Sequence, residues 1–178
     1  MIFDDQILIK RIQNGDKESL GQLIEKYYGD VFSLCFYKTK DRHLAEDLTQ
    51  ETFIRLIDHI YSFKPKGKFR NYLYTITLNV CRDEFKKQNR NQEVDIEEFQ
   101  NYLYLKEDSG SEDEQMIEMY LDQLPDYQKD VIILHYYQDL KLREIAGVLN
   151  VSESTVKSRL YQGLNKLRKI YEEENKNE

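Results

Sequence analysis

Within residues 152–166, Ser152, Ser154, Thr155, Lys157, Ser158, Arg159, Gln162 and Lys166 bring together hydroxyls, an amide and cations. On a helix, Ser154, Lys157, Ser158, Arg159 and Gln162 lie opposite Val156, Leu160, Leu164 and Leu167, whose spacings are four, four and three. Short hydrogen-bonding groups can address base edges in a major groove, while cations answer phosphates. A second cluster comprises Phe63, Lys64, Lys66, Lys68, Arg70, Tyr72, Asn79, Asp83, Lys86 and Lys87. Aromatic rings and cations in this mixture suit single-stranded nucleic acid, where bases stack and phosphates are neutralised. A basic surface helix over an aromatic core is the plainer alternative. The third cluster is Asp47, Gln50, Glu51 and Ile54, spaced at three, four and seven so that they share one helical face. Composition alone favours a solvated face there, and the sharper reading is a docking surface for a basic partner helix.

Covalent chemistry has no comparable candidates. There is no Gly-rich phosphate loop and no nucleophile–base pair. Cys35, Cys81, His43, His59 and His135 show no metal-ligand spacing, so neither a metal nor a cofactor is expected. Cys35 and Cys81 read as buried reduced thiols, with a redox switch as the alternative. His135 reads as a residue of the core edge.

These clusters need helices to carry them. In the stretch from Leu142 to Arg168, Ile145, Ala146 and Leu149 form one face of a short helix. Asn150 suits a left-handed turn, and Ser152 suits the N-cap of a second helix. This is a helix-turn-helix pattern. Upstream, Ile7, Leu8 and Ile12 predict a helix ending at Gly15, and Asp16 predicts the start of another through Cys35. Asp41 predicts the cap of a third, with Leu44, Ala45, Leu48, Phe53, Ile54, Leu56, Ile57 and Ile60 as its apolar residues. After a loop punctuated by Pro65 and Gly67, a fourth helix is expected from Phe69 to about Gln88. Met116 to Leu124 predicts a short helix, with Pro125 starting the next one.

The net charge of −7 is unevenly distributed. Residues 64–90 hold eight cations against two acids, whereas 91–119 hold ten acids against one cation. Residues 152–169 hold five cations against one acid. Two basic islands thus flank an acidic bridge, and local fields steer binding more than the total does. With two prolines and seven glycines in 178 residues, the composition favours an all-α protein. No apolar run reaches bilayer length and the first residues lack a signal-peptide pattern, so a cytoplasmic protein is expected.

Three stretches together resemble the extracytoplasmic-function (ECF) class of bacterial sigma factors, from Leu20 to Lys169. Leu124-Pro125, Glu144-Ile145-Ala146, Ser152 and Thr155-Val156-Lys157-Ser158-Arg159-Leu160 are similar to the domain that reads the promoter −35 element. Phe69-Arg70-Asn71-Tyr72-Leu73, with Ile76, Asn79, Asp83 and Lys86-Lys87, is similar to the helix that recognises the −10 element. Asp47-Leu48-Thr49-Gln50-Glu51-Thr52-Phe53 resembles the face that binds a coiled coil of the polymerase's largest subunit. Tyr72 stands where the family usually has tryptophan. Asp139 and Lys141 stand where glycine and serine are frequent, so either Asp139 caps the next helix or that helix starts differently.

The resemblance implies two small helical domains: residues 1–90 binding core polymerase and the −10 element, and residues 116–172 binding the −35 element. An acidic, flexible linker over 91–115 would join them, and 173–178 would form a tail. It also implies core-polymerase contacts from Asp47, Leu48, Gln50, Glu51, Phe53 and Ile54. The second cluster would contact the −10 element, with Asn79 and the loop from Phe63 to Lys68 holding a base taken out of the stack. The first would contact the −35 element. Expected partners are the RNA polymerase core, promoter DNA and an anti-sigma factor. The rival is a one-component regulator with a helical sensor domain and a DNA-binding helix-turn-helix; an inactive sigma-like interaction module is a further alternative.

Overall fold

Three aspartates set where the first helices begin. Asp4 accepts from Gln6 N–H, Asp16 from the N–H groups of Glu18 and Ser19, and Asp41 from Leu44 N–H. Each satisfies amides that a helix start leaves without an internal partner. The computed structural model describes residues 4–64, 67–91, 117 and 119–174. Helices α1 (Asp5–Gln13), α2 (Lys17–Thr39), α3 (Arg42–Ile60) and α4 (Phe69–Asn91), the last as far as Gln88, make up the first of two compact units, Met1–Gln88 and Asn89–Glu178. Gly15, at φ +92°, turns the chain from α1 to α2 in a conformation that side chains resist. Lys40 closes α2 at φ 57°.

The core of the first unit is built by Leu8, Ile9 and Ile12 of α1, Leu23, Tyr27, Val31 and Cys35 of α2, Ala45, Leu48, Phe53, Leu56 and Ile60 of α3, and Phe69, Leu73, Val80 and Cys81 of α4. In α1 the buried stripe includes Ile9, whereas Ile7, expected inside, is half exposed. Ile54 of α3 likewise points outward, 54% exposed. The buried hydroxyls of Thr49, Thr52 and Thr77 donate to the carbonyls of Ala45, Leu48 and Leu73 one turn back, so each is satisfied within its own helix. Cys35 and Cys81 are free, buried thiols with their sulfurs 4.0 Å apart. Polar ties fix the helix order: Tyr27 donates to Asp5 at 2.7 Å, and the fully buried Tyr74 donates to Asp30 at 3.2 Å. Burial, together with the carboxylate acceptor, pushes both phenols up and keeps them protonated.

In the second unit, a helical turn over 119–122 is followed by α5 (Asp126–Ile132). Pro125 is the N-cap of α5 rather than its first helical residue. The helix then widens into a π-turn over Ile133–Tyr137, which periodicity alone does not reveal. Its end is held by Leu140 N–H donating to Leu134 and by His135 Nδ1 lying 2.9 Å from the Leu140 carbonyl. Helices α6 (Leu142–Leu149) and α7 (Glu153–Glu174) complete the unit. Around them Leu121, Leu124, Val131, Ile132, Ile133, Leu134, Leu140, Ile145, Ala146, Val148 and Val156 are buried. Among the described residues no strand occurs, and no helix is long and apolar enough to cross a membrane.

One expectation about this unit changes, and one open alternative is decided. The inner stripe of α7 is Val156, Leu160, Gly163 and Leu167, while Leu164 is 37% exposed. A Cβ at Gly163 would meet Ile132 Cδ1 at 2.9 Å, so the absence of a side chain permits the close approach to α5. Asp139 is not a cap: it adopts a left-handed conformation at φ 49°, and Lys141 is the N-cap of α6. Glu144 reaches back to accept from Lys141 N–H at 2.9 Å. An ammonium has no acceptor to return, so only one half of a capping box forms. The acidic segment 92–116 and the terminal residues 175–178 lie outside the described residues.

Candidate nucleic-acid interface

The turn between α6 and α7 sets the first surface. Asn150 takes φ 53°, ψ 49°, and the Val151 amide donates to the Ala146 carbonyl, closing α6 as the chain reverses. Ser152 Oγ then accepts from Thr155 N–H at 3.1 Å and starts α7. Ser152 is therefore engaged in capping. From that start, Ser154, Thr155, Ser158, Arg159 and Gln162 line one open groove together with Tyr127 of α5. The Arg159 guanidinium lies over the Tyr127 ring, 5.4 Å from its centre. Gln162 Nε2 donates to Ser158 Oγ at 3.3 Å, and Gln128 Nε2 of α5 donates to Gln162 Oε1 at 3.4 Å.

Lys157 and Lys166 stand apart from this groove. Lys157 pairs with Glu153 at 3.1 Å, and Lys166 donates to the Gln123 carbonyl at 2.6 Å. Sequence reasoning missed Tyr127 because it lies on the helix before the motif, where an exposed tyrosine carries no periodic signal.

In the first unit, Phe63 packs its ring 4.5 Å from Tyr72 and edge-on to Phe69 at 5.8 Å. Gln13 of α1 holds the start of this loop by donating to the carbonyls of Ile60 and Phe63, both at 2.9 Å. That residue was also missed, since its role depends on a contact fifty residues away. Burial pushes the Tyr72 phenol up, keeping it neutral. Along α4, Tyr72, Asn79, Asp83 and Lys86 recur at helical spacing. Asn79 and Lys86 are exposed, and Asn79 Oδ1 accepts from Arg82 at 2.7 Å. Lys64, Lys68 and Lys87 are exposed and Arg70 is half buried. Lys66 lies outside the described residues, and with it part of the expected base pocket.

Asp83 is also tied to α3. Its carboxylate accepts from Arg55 of α3 at 2.8 Å, and Arg55 also pairs with Glu51 at 2.8 Å. The Arg55 guanidinium holds the Asp83 carboxyl below its ordinary value. On α3, Asp47, Gln50 and Ile54 are exposed and Glu51 is half buried. Leu48 and Phe53, expected on the same docking face, are only 6% exposed and belong to the core. Phe53 supports the face from beneath and stacks with Tyr28 of α2 at 6.3 Å. Among the described residues, no group of three or more His, Cys, Asp or Glu side chains is arranged to hold a metal.

Known proteins match this chain in both units. The model of Sigma-70 region 2 matches residues 23–91, and that of Sigma-70, region 4 matches residues 114–167. The ECF RNA polymerase sigma factor SigW of Bacillus subtilis is 30% identical over 174 residues, covering 90% of this chain and 93% of SigW. The ECF RNA polymerase sigma factor SigX of the same organism is 32% identical over 165 residues, covering 88% of this chain and 85% of SigX. Among solved structures, CnrH in complex with the cytosolic domain of CnrY has a TM-score of 0.71 at 22% identity, covering 94% of this chain and 97% of that one. The sigma factor RpoE of Bartonella quintana, in complex with the anti-sigma factor NepR, also has a TM-score of 0.71, at 20% identity, covering 85% and 96%. At these identities the structural likeness concerns the fold.

Proposed function

Since the chain belongs to the ECF class of RNA polymerase sigma factors, we propose that its two units divide promoter recognition between them, one holding duplex DNA and the other holding opened DNA. The observation carrying this reading is the groove of Ser154, Thr155, Ser158, Arg159 and Gln162 on a helix-turn-helix, alongside a separate helix with aromatics and cations. In the −35 duplex, Arg159 and Gln162 address base edges, while Lys157 and Lys166 answer phosphates. Ser152 acts by capping the helix that carries them.

At the −10 element, Asn79 and the loop from Phe63 to Lys68 hold a base displaced from the stack. Unstacking costs a few kcal/mol, and contacts to the displaced base offset it. The open duplex is thereby favoured by selective binding, without covalent chemistry by this chain. Tyr72 supplies stacking area, supported by Phe63. Core polymerase docks on Asp47, Gln50, Glu51 and Ile54, a strip in which Asp47, Gln50 and Ile54 are exposed and Glu51 is half buried. An anti-sigma factor would regulate the protein in the cytoplasm by competing for such surfaces. A one-component regulator is disfavoured because a region 2 match occupies the place of a sensor domain.

Run-off transcription from a pool of promoter DNA, with core polymerase added, tests the whole reading. Transcripts should depend on this chain and share −35 and −10 sequences. Asp47→Ala with Gln50→Ala should weaken polymerase binding while the helical signal is retained; undiminished affinity would sink the docking assignment. Asn79→Ala should impair promoter opening more than polymerase binding.

A further inference from the structure

The recognition groove has a wall that is not part of the helix-turn-helix. Tyr127 sits in the first turn of α5, yet its ring lies under the Arg159 guanidinium at 5.4 Å. A flexible arginine loses rotamer freedom when it engages a base, and holding it beforehand reduces that loss. The aromatic face can hold it by attraction between the cation and the ring quadrupole. The next residue works on the same surface. Gln128, only 7% exposed, donates to Gln162, which in turn donates to Ser158. Two successive residues of α5 therefore reach two polar side chains of the groove.

We propose that Tyr127 is a specificity-determining positioning residue, holding Arg159 over its ring so that the guanidinium edge is presented to base edges in the −35 duplex. The inference rests on the −35 reading of α7. It gives the groove a fixed donor array rather than a mobile cation, which matters for sequence choice because only a well-placed fork discriminates between bases. Lys157 and Lys166, paired elsewhere, contribute charge without this preorganisation.

The test uses the full chain with core polymerase and a duplex carrying the −35 sequence recovered from a randomised promoter pool. Binding is measured for the wild type, Tyr127→Ala, Tyr127→Phe, Arg159→Ala and the double variant Tyr127→Ala with Arg159→Ala. Base preference is scored at every −35 position. Tyr127 is 47% exposed, so its truncation leaves the buried core of the unit in place. Tyr127→Ala should weaken binding about two- to fivefold and flatten preference at the position that Arg159→Ala flattens. Tyr127→Phe, which keeps the ring, should restore both. The double variant should be no weaker than Arg159→Ala alone. Wild-type affinity and preference in Tyr127→Ala, tighter binding, or losses that simply multiply would overturn the proposal. If Arg159→Ala itself changes nothing, the −35 assignment falls and the proposal with it. A response to Arg159→Ala without one to Tyr127→Ala removes the positioning role alone.

Discussion

Lys141 starts the first helix of the helix-turn-helix with a side chain that cannot accept a hydrogen bond. Glu144 already supplies its half of the reciprocal cap. Lys141→Ser should complete it and stabilise the second unit by about 0.5–1 kcal/mol, seen as slower amide exchange across α6. Gly163 offers the opposite case. Alanine would improve helix propensity by about 0.5–1 kcal/mol, but its Cβ needs the Ile132 terminal methyl to move. Gly163→Ala should therefore alter urea-unfolding stability by less than about 1 kcal/mol, whereas Gly163→Val should lose about 1–3 kcal/mol through overpacking. A polar cap such as Ser152 was legible from residue type and position. Gly163 was not, because a hydrophobic stripe gives no weight to a residue whose contribution is the space it leaves.

The helices were legible because caps and apolar periodicity agree for α1 to α3. Contacts between helices were not, since hydrogen bonds across many residues leave no local pattern. Gln13 illustrates this at the entrance to the loop that follows α3. Gln13→Ala removes both bonds, leaving the Ile60 carbonyl only the Phe63 N–H and the Phe63 carbonyl without this donor, which should loosen the loop at a cost of about 1–2 kcal/mol. Promoter opening should fall while polymerase binding on α3 is kept, a split that permanganate footprinting and a polymerase-binding assay would resolve. Arg55 ties α3 to α4 in a similar way. The Asp83 pKa is depressed chiefly by the hydrogen bond from Arg55, below its ordinary value of 3.8. Its stabilising effect is present above that value and is lost as pH falls through the lower folded-state value. Both side chains of the pair are at least a third exposed, so screening limits the contribution to about 0.5–1 kcal/mol. Arg55→Ala should lower the urea midpoint at neutral pH and converge on the wild type as pH falls through the carboxylate range.

For the whole molecule, charge segregation and the two matched regions answer why a chain of net charge −7 can engage DNA. Half of the 26 cations are gathered into islands at 64–90 and 152–169, so phosphate contacts can form locally against an overall repulsion. That division was visible in the sequence, as was the helix-turn-helix that places the second island. The separation of capped, paired and groove-lining residues within the island was not, because all of them share one polar composition. It bears directly on salt dependence. Each phosphate neutralised releases condensed counterions, so binding weakens with salt in proportion to the number of such contacts. Arg159→Ala should lower affinity for the −35 duplex at every salt concentration. If one phosphate contact accompanies its base contact, the slope of log affinity against log salt should fall by about one. Lys157→Ala should lower the slope similarly while leaving base preference unchanged. Affinity titrations of the full chain with core polymerase over about 50–300 mM salt, a roughly sixfold range around physiological ionic strength, would count the phosphate contacts, and base preference would separate the two side chains. Equal base preferences in both variants would contradict the division between a reader on the groove and a phosphate contact beside it.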